Sequence, residues 1–388
     1  MEVTIVNRYY PPSKVVIAES AADLARYLTA KGIHVKVVYT TAEYKGVGAE
    51  SEPIGELNTI QSIYDGENKI LRLLSSFIES YRLIKKALSV SKGPIIVMTA
   101  PGFLGFWASK LFGKQQKKWL YWTMDLFPEA FVAANLVKPK NPIYKYIKKV
   151  TYSYPPMTLI ALGRIQAEYV QQQFHKDLPT VILPCGVLLD QQTKVETSDE
   201  KPSWKNNADK IYFGYVGNMG QAHSAEFVLH FIKTIDPEKH RLILVVYGNN
   251  AHVIKKYLAD NPTEGVLLLD YIPREKLRHV DVHLVSLKSE FVNVCVPSKL
   301  VSAVHQSSLF LFHGIKECDN WDYLQTAGWL IEEGEQMTSQ IKSFLNSISK
   351  NKINEKRATA SHMPGQLYND VVKAYEKITV ALREETIL

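Results

Sequence analysis

The chain has 388 residues, of which 46% are hydrophobic, 22% charged and 11% aromatic, a composition that excludes disorder and collagen-like repeats and leaves ample length for a large core. With 46 Lys and Arg against 39 Asp and Glu the formal net charge is +7, mild for this length, which suits acidic small molecules or an anionic membrane surface at least as well as nucleic acid. The 3 cysteines, Cys185, Cys295 and Cys318, show no metal or redox spacing, so neither a disulfide framework nor a zinc site is expected, and a reducing cytosol is the simplest compartment.

The chain enters a strand at once, without a basic segment followed by an apolar one, so no signal peptide is expected. Short apolar runs then alternate with amphipathic segments, the pattern of βα units around parallel sheets. Strands are predicted at 3–7, 35–39, 94–99, 118–122 and 158–162, with helices at 20–31, 68–90 and 105–112. A polar, proline-containing stretch at 190–209 reads as a linker. A second series follows: strands at 211–216, 242–247, 266–269 and 282–287, helices from about 224 and over 251–259, a lysine-rich loop at 350–356 and a final amphipathic helix at 366–383. The most apolar runs, 242–247 and 309–312, fall far short of the ~20 residues a membrane-spanning helix needs. The reading is α/β, with two doubly wound Rossmann-like domains facing a central cleft: an N-terminal domain at 1–189, a linker at 190–209, a C-terminal domain at 210–364, and a helix at 365–388 that can pack back on the first domain.

Ligands of open parallel sheets bind at the carboxyl ends of strands, so the loops there carry the functional argument. The sharpest is Tyr215-Val216-Gly217-Asn218-Met219-Gly220-Gln221-Ala222-His223-Ser224, a strand end, a loop with two glycines and a capped helix start. Glycines admit a close ligand and helix-start N–H groups favour negative charge, so a diphosphate fits; a tight turn is the plainer reading of the same residues. Val296-Pro297-Ser298-Lys299-Leu300 reads as a helix start that sets the Lys299 ammonium where it can meet a phosphate, or as a capped helix with a solvated lysine. In the first half, Arg8-Tyr9-Tyr10-Pro11-Pro12 follows the first strand and Met124-Asp125-Leu126-Phe127-Pro128-Glu129 follows the fourth. There Asp125 and Glu129 suit hydroxyl binding or general-base work, or equally a capped turn and a helix start. His279, Asp281 and His283 alternate on a strand, but a buried strand explains them better than a metal site.

These loops, in this order, resemble the nucleotide-sugar glycosyltransferases of the GT-B fold, and most closely glycosyltransferase family 4. Leu162-Gly163-Arg164, Leu183-Pro184-Cys185-Gly186-Val187 and Thr326-Ala327-Gly328-Trp329-Leu330-Ile331 extend the resemblance over nearly the whole chain. It implies a sugar donor bound by the second domain through Gly217, Asn218, Met219, Gly220, His223, Pro297, Ser298, Lys299 and Ser302. Tyr9, Tyr10, Asp125 and Glu129 are implied on the acceptor side, and Asp125, Lys299 and Glu290 in catalysis, with retention of anomeric configuration and no metal or other cofactor. Two departures stand out. The family's paired glutamates fall on Val294 or a neighbour and on Ser302, with Glu290 the nearest upstream acid, and the usual Gly-Lys-Pro after the helix is replaced by Ser307-Ser308-Leu309.

The function implied is transfer of a sugar from a UDP- or GDP-linked donor to a glycan or lipid-linked acceptor in surface polysaccharide assembly. The setting is cytoplasmic, with peripheral contact to an anionic membrane suggested by lysines interleaved with aromatics over 114–122 and 138–149, and no nucleic-acid partner. The alternatives are a non-catalytic nucleotide- or sugar-binding protein of the same fold, and a sugar-nucleotide epimerase.

Overall fold

The computed structural model describes residues 1–13, 15–42, 52–66, 68–189 and 201–384. The chain divides into two compact units, one made of Met1–Asp190, Asn293–Val296 and Asn369–Leu388, the other of Gln191–Val292 and Pro297–Tyr368. Most of the expected linker, 190–200, lies outside the described residues.

The first unit is built on strands β1 (Glu2–Val6), β2 (His34–Thr40), β3 (Glu56–Ile60), β4 (Ile95–Val97), β5 (Trp119–Trp122), β6 (Thr158–Ala161) and β7 (Thr180–Ile182). They form one sheet in the order β3-β2-β1-β4-β5-β6-β7, every pair parallel. Helices α1 (Val16–Ala30), α2 (Lys69–Val90), α3 (Leu104–Gln115), α4 (Glu129–Ala133), α5 (Pro142–Thr151) and α6 (Arg164–Phe174) alternate with the strands. A parallel sheet needs cover on both faces, and β4, β5 and β6 are accordingly buried at every residue, while the edge strand β3 is largely exposed. That edge and the three-residue β7 carry little apolar pattern, which is why neither is predicted from the sequence.

The second unit repeats the plan with β8 (Ile211–Asn218), β9 (His240–Tyr247), β10 (Val266–Leu268), β11 (Val282–Ser286), β12 (Leu309–Gly314) and β13 (Gly328–Glu332), again all parallel, in the order β10-β9-β8-β11-β12-β13. Its helices are α7 (Ala225–Thr234), α8 (Ala251–Asp260), α9 (Ser298–His305), α10 (Asp319–Leu324), α11 (Met337–Ser347) and α12 (Lys350–Thr359), followed by α13 (Met363–Glu384). The lysine-rich segment expected as a loop at 350–356 is therefore helical. Ser349 caps it by accepting from the Lys352 N–H at 3.3 Å, and Ile353 is its one buried residue, so it offers no periodic apolar signal.

Chain order and sheet order part company at β1/β4 in one unit and at β8/β11 in the other. Successive connections run to opposite sides there, which opens a crevice at the strands' carboxyl ends. In the first unit α13 is tied to α1: the buried Tyr375 hydroxyl donates to Asp23 at 2.9 Å and the Tyr375 and Tyr27 rings lie 5.2 Å apart. Asp23 also accepts from the Leu189 N–H at 3.1 Å, so Tyr375→Phe leaves a buried carboxylate short of one donor. The variant should lose about 1–2 kcal/mol in denaturant unfolding, and an unchanged midpoint would show that this bond adds nothing to the α13 contact.

Candidate functional site

In the second unit the carboxyl end of β8 turns through Gly217, whose φ of +122° lies in the left-handed region that favours glycine. The following loop is braced from β9. The Met219 N–H donates to the Tyr247 carbonyl at 2.7 Å, the Asn250 N–H to the Met219 carbonyl at 3.0 Å and the Asn250 side chain to the Gly220 carbonyl at 3.1 Å. Gly248 stands opposite at a φ of +96°, which favours glycine, and a Cβ there would displace the Asn218 side chain. The Met219 side chain is fully buried, so only its backbone contributes to the loop surface. Ser224 then caps α7 by accepting from the Phe227 N–H at 3.1 Å, while its own N–H donates to Ser286 Oγ at the end of β11 at 2.9 Å. The N–H groups of Gly220, Gln221 and Ala222 have no acceptor among the described residues, which leaves three successive backbone donors just ahead of the capped start of α7.

Lys299 reaches this loop from the first turn of α9. Its ammonium donates to the Asn218 carbonyl and, at 3.1 Å, to the Tyr215 hydroxyl, and lies 4.5 Å from the centre of the Tyr215 ring. The side chain is half-buried, and the protein crowded round it pushes the ammonium down to about 7 with no carboxylate among the causes. His223 lies beside it. Burial first, and then the Lys299 and Lys288 cations, hold its imidazole down to about 3, so it is neutral; its Nδ1–H donates to the Ser286 carbonyl at 2.5 Å, leaving Nε2 with a lone pair. Gly217, Asn218, Gly220, His223 and Lys299 are thus brought together around a concentration of positive potential. Pro297 and Ser298 open α9, and Ser302 is half-buried about one turn past Lys299.

Tyr215, which opens the glycine-loop motif without a role assigned to it, belongs to the same cluster, as do Ser286 and Lys288, which the sequence does not single out although they sit at the end of β11, where a parallel sheet displays its functional residues. Glu290 is exposed on the short turn Ser289–Phe291. The Ser289 N–H of that turn donates to Glu333 at 3.0 Å, so a second carboxylate, from the end of β13, stands beside it.

The first unit presents a different set. Asp125 is exposed at the turn after β5, where surrounding protein pushes its carboxyl up to about 6 without closing it off from water. The turn is fixed by Gln166, which donates to the Met124 carbonyl at 2.7 Å, and by the Leu126 N–H, which donates to the Val294 carbonyl at 2.8 Å. Val294, at one of the two expected glutamate positions, is a buried residue of this unit. Tyr9 is half-buried. Tyr10, expected on an open acceptor face, instead packs in the core, with its hydroxyl donating to the Ile54 carbonyl at 2.8 Å. Glu129 is likewise buried at 4% exposure, 3.6 Å from the Lys148 ammonium and accepting from the Tyr169 hydroxyl at 3.3 Å, and burial raises its carboxyl above the usual range. Both side chains are buried and present no open face to a ligand.

A methyl group at Gly217 would meet Lys299 Cε at 3.0 Å as well as occupying a strained φ. Gly217→Ala should cost about 1–3 kcal/mol in denaturant unfolding, and a variant as stable as the parent would show that the left-handed turn is not held under constraint.

No family model matches the chain. It is 23% identical over 249 residues to the probable glycosyltransferase WbjE of Pseudomonas aeruginosa, a match that spans 59% of this chain and 59% of that relative. Among solved structures it is similar to WaaG, described as a glycosyltransferase involved in lipopolysaccharide biosynthesis, at 14% identity and a TM-score of 0.66 over 96% of this chain and 98% of that one. It is also similar to the structure described as trehalose-6-phosphate from E. coli bound with UDP-2-fluoro glucose, at 12% identity and a TM-score of 0.65 over 98% of each chain. The two parallel sheets, their strand orders and these full-length likenesses give the chain the GT-B fold.

Proposed function

We propose that the protein is a glycosyltransferase that moves a sugar from a nucleotide-diphosphate sugar to a glycan or lipid-linked acceptor, with retention, in assembly of a surface polysaccharide. The observation that carries this reading is the Lys299 ammonium held against the Gly217–Gly220 loop with no carboxylate among the described residues to neutralise it, beside a run of backbone N–H donors. Such a cluster suits a diphosphate. The match to WbjE and the UDP-sugar in one structural neighbour favour a nucleotide sugar as its source.

Transfer breaks the bond between the anomeric carbon and the diphosphate oxygen. Negative charge grows on the leaving oxygens while the sugar ring gains oxocarbenium character. Donors already fixed in place stabilise that charge without reorganising, and one of them is worth about 3 kcal/mol. Lys299 and the N–H groups of Gly220 to Ala222 take this role, and neutral His223 can accept from a sugar hydroxyl through Nε2. On the first unit, the exposed Asp125 carboxylate suits hydrogen bonding to a hydroxyl of the acceptor. Ser302 offers a ribose hydroxyl a weaker acceptor than a glutamate would. That substitution, with the buried Val294, is what favours a second reading in which the protein binds nucleotide sugars without turning them over.

Release of nucleotide from UDP- and GDP-sugars, with and without acceptor lipids, separates the two readings, because turnover contradicts the binder and binding without turnover contradicts the transferase. Lys299→Ala should lower turnover by roughly two orders of magnitude. The pH dependence has a definite sign. Below pH 7 the ammonium is charged and ready for the diphosphate. Above it the free protein must take up a proton to bind, so affinity for the nucleotide sugar should fall roughly twentyfold between pH 6.5 and 8.5. Lys299→Arg, charged throughout, should flatten the profile, and an unchanged slope in that variant would remove Lys299 from the diphosphate.

A further inference from the structure

The first half of α2 is inverted. It buries Ser75, Glu79 and Ser80 and turns apolar residues outward: Ile70 is 71% exposed, Leu71 46%, Leu73 44%, Leu74 55% and Ile78 46%. The inward face is polar because Glu79, fully buried, accepts from the hydroxyls of Ser62 and Ser75 and from the Ile63 N–H, and pairs with Arg8 at 3.2 Å. Those bonds hold the carboxylate inside, and with it the orientation of the helix. The second half is ordinary, with Leu83, Ile84 and Ala87 inside and Lys85 outside.

This apolar crest continues onto its neighbours. Trp107 of α3 lies 5.0 Å from the Phe77 ring and 4.8 Å from Tyr81 of α2, and Phe106 lies 6.3 Å from Tyr146 of α5. On α5 Ile143 is 68% and Tyr146 55% exposed. The three helices carry ten Lys and Arg, five on α2, two on α3 and three on α5, against one acid, the buried Glu79. Lys148 is turned to Glu129, and the Lys110 ammonium rides 5.2 Å from the Trp107 ring.

We propose that this face of the first unit rests on an anionic lipid bilayer, with Ile70 to Ile78, Trp107, Ile143 and Tyr146 at the acyl boundary and the flanking lysines and arginines at headgroup phosphates. Charge complementarity selects the occupant. A second copy would bring the same basic face against itself, so self-pairing of this surface sets like charges together. The inference rests on the lipid-linked form of the acceptor in the reading above, and locates where the protein meets the surface carrying that acceptor.

Flotation of the full chain with phosphatidylcholine vesicles, with and without phosphatidylglycerol, tests it in the absence of any sugar donor. The parent should float with anionic vesicles and lose that binding at high salt. A variant with Leu71→Ser, Leu74→Ser and Ile78→Ser should bind about tenfold more weakly while releasing nucleotide from the donor as fast as the parent in detergent. Lys145→Glu with Lys149→Glu, two exposed positions, should weaken binding to a similar degree through charge alone. Equal binding by parent and both variants, no vesicle binding by the parent, or loss of a dimer in the serine variant without lipid would overturn the proposal. Failure here leaves nucleotide-sugar turnover standing, and absent turnover with intact flotation overturns the transferase reading instead.

Discussion

A cation with no counter-ion among the described residues is the feature on which the rest of the second unit turns. Lys299 is half-buried, its ammonium satisfied by a carbonyl, a hydroxyl and an aromatic ring, none of which cancels its charge. Surrounding a lysine with protein costs free energy that an ion pair would ordinarily offset. Here the depressed proton affinity records that cost, and a ligand with negative charge would relieve it. Gly217, Gly248 and the capped start of α7 all serve to bring polar backbone to the same place.

Each unit places its loops by the same geometry and uses them differently. In both, the parallel strand order reverses at an inner pair, and the loops at that reversal lie in a crevice by construction. The second unit fills its crevice edge with backbone donors and the Lys299 and Lys288 cations. The first presents Asp125 on the turn after β5, one strand beyond its reversal, with the backbone fixed by Gln166 and Val294, while Glu129 is withdrawn into a cluster with Lys148 and Tyr169. Two carboxylates four residues apart thus have opposite surroundings, one open to water and one packed.

The α/β class and most strands were legible because buried parallel strands are continuous apolar runs, as at Val3 to Val6 or Leu242 to Val246. The edges β3 and β7 were not, since exposed or very short strands lose that signal, and neither were β12 and β13, although 309–312 stands out as an apolar run. Nor was α12, a polar helix set by its Ser349 cap. The positions of the glycine loop after β8 and of Lys299 in the first turn of α9 were legible because glycines at a strand end and a proline at a helix start mark such turns. The inward turn of Tyr10 and Glu129 was not, because the same residues could face either way until tertiary partners such as Ile54 and Lys148 are known. Likewise the inversion of α2 depends on Ser62 and Arg8, distant in sequence from Glu79, and no helical periodicity reveals it.

The central claim is that Lys299 and the Gly217–Gly220 loop hold the diphosphate of a sugar nucleotide. Thermal unfolding of the purified protein with UDP, GDP, ADP and their sugar conjugates tests it most directly, since a ligand at about 100 times its dissociation constant stabilises by about 2.7 kcal/mol. The account predicts a clear rise in Tm with the conjugates of one base, absent or much reduced in Lys299→Ala. No rise with any of them, or an equal rise in the Lys299→Ala protein, would contradict it.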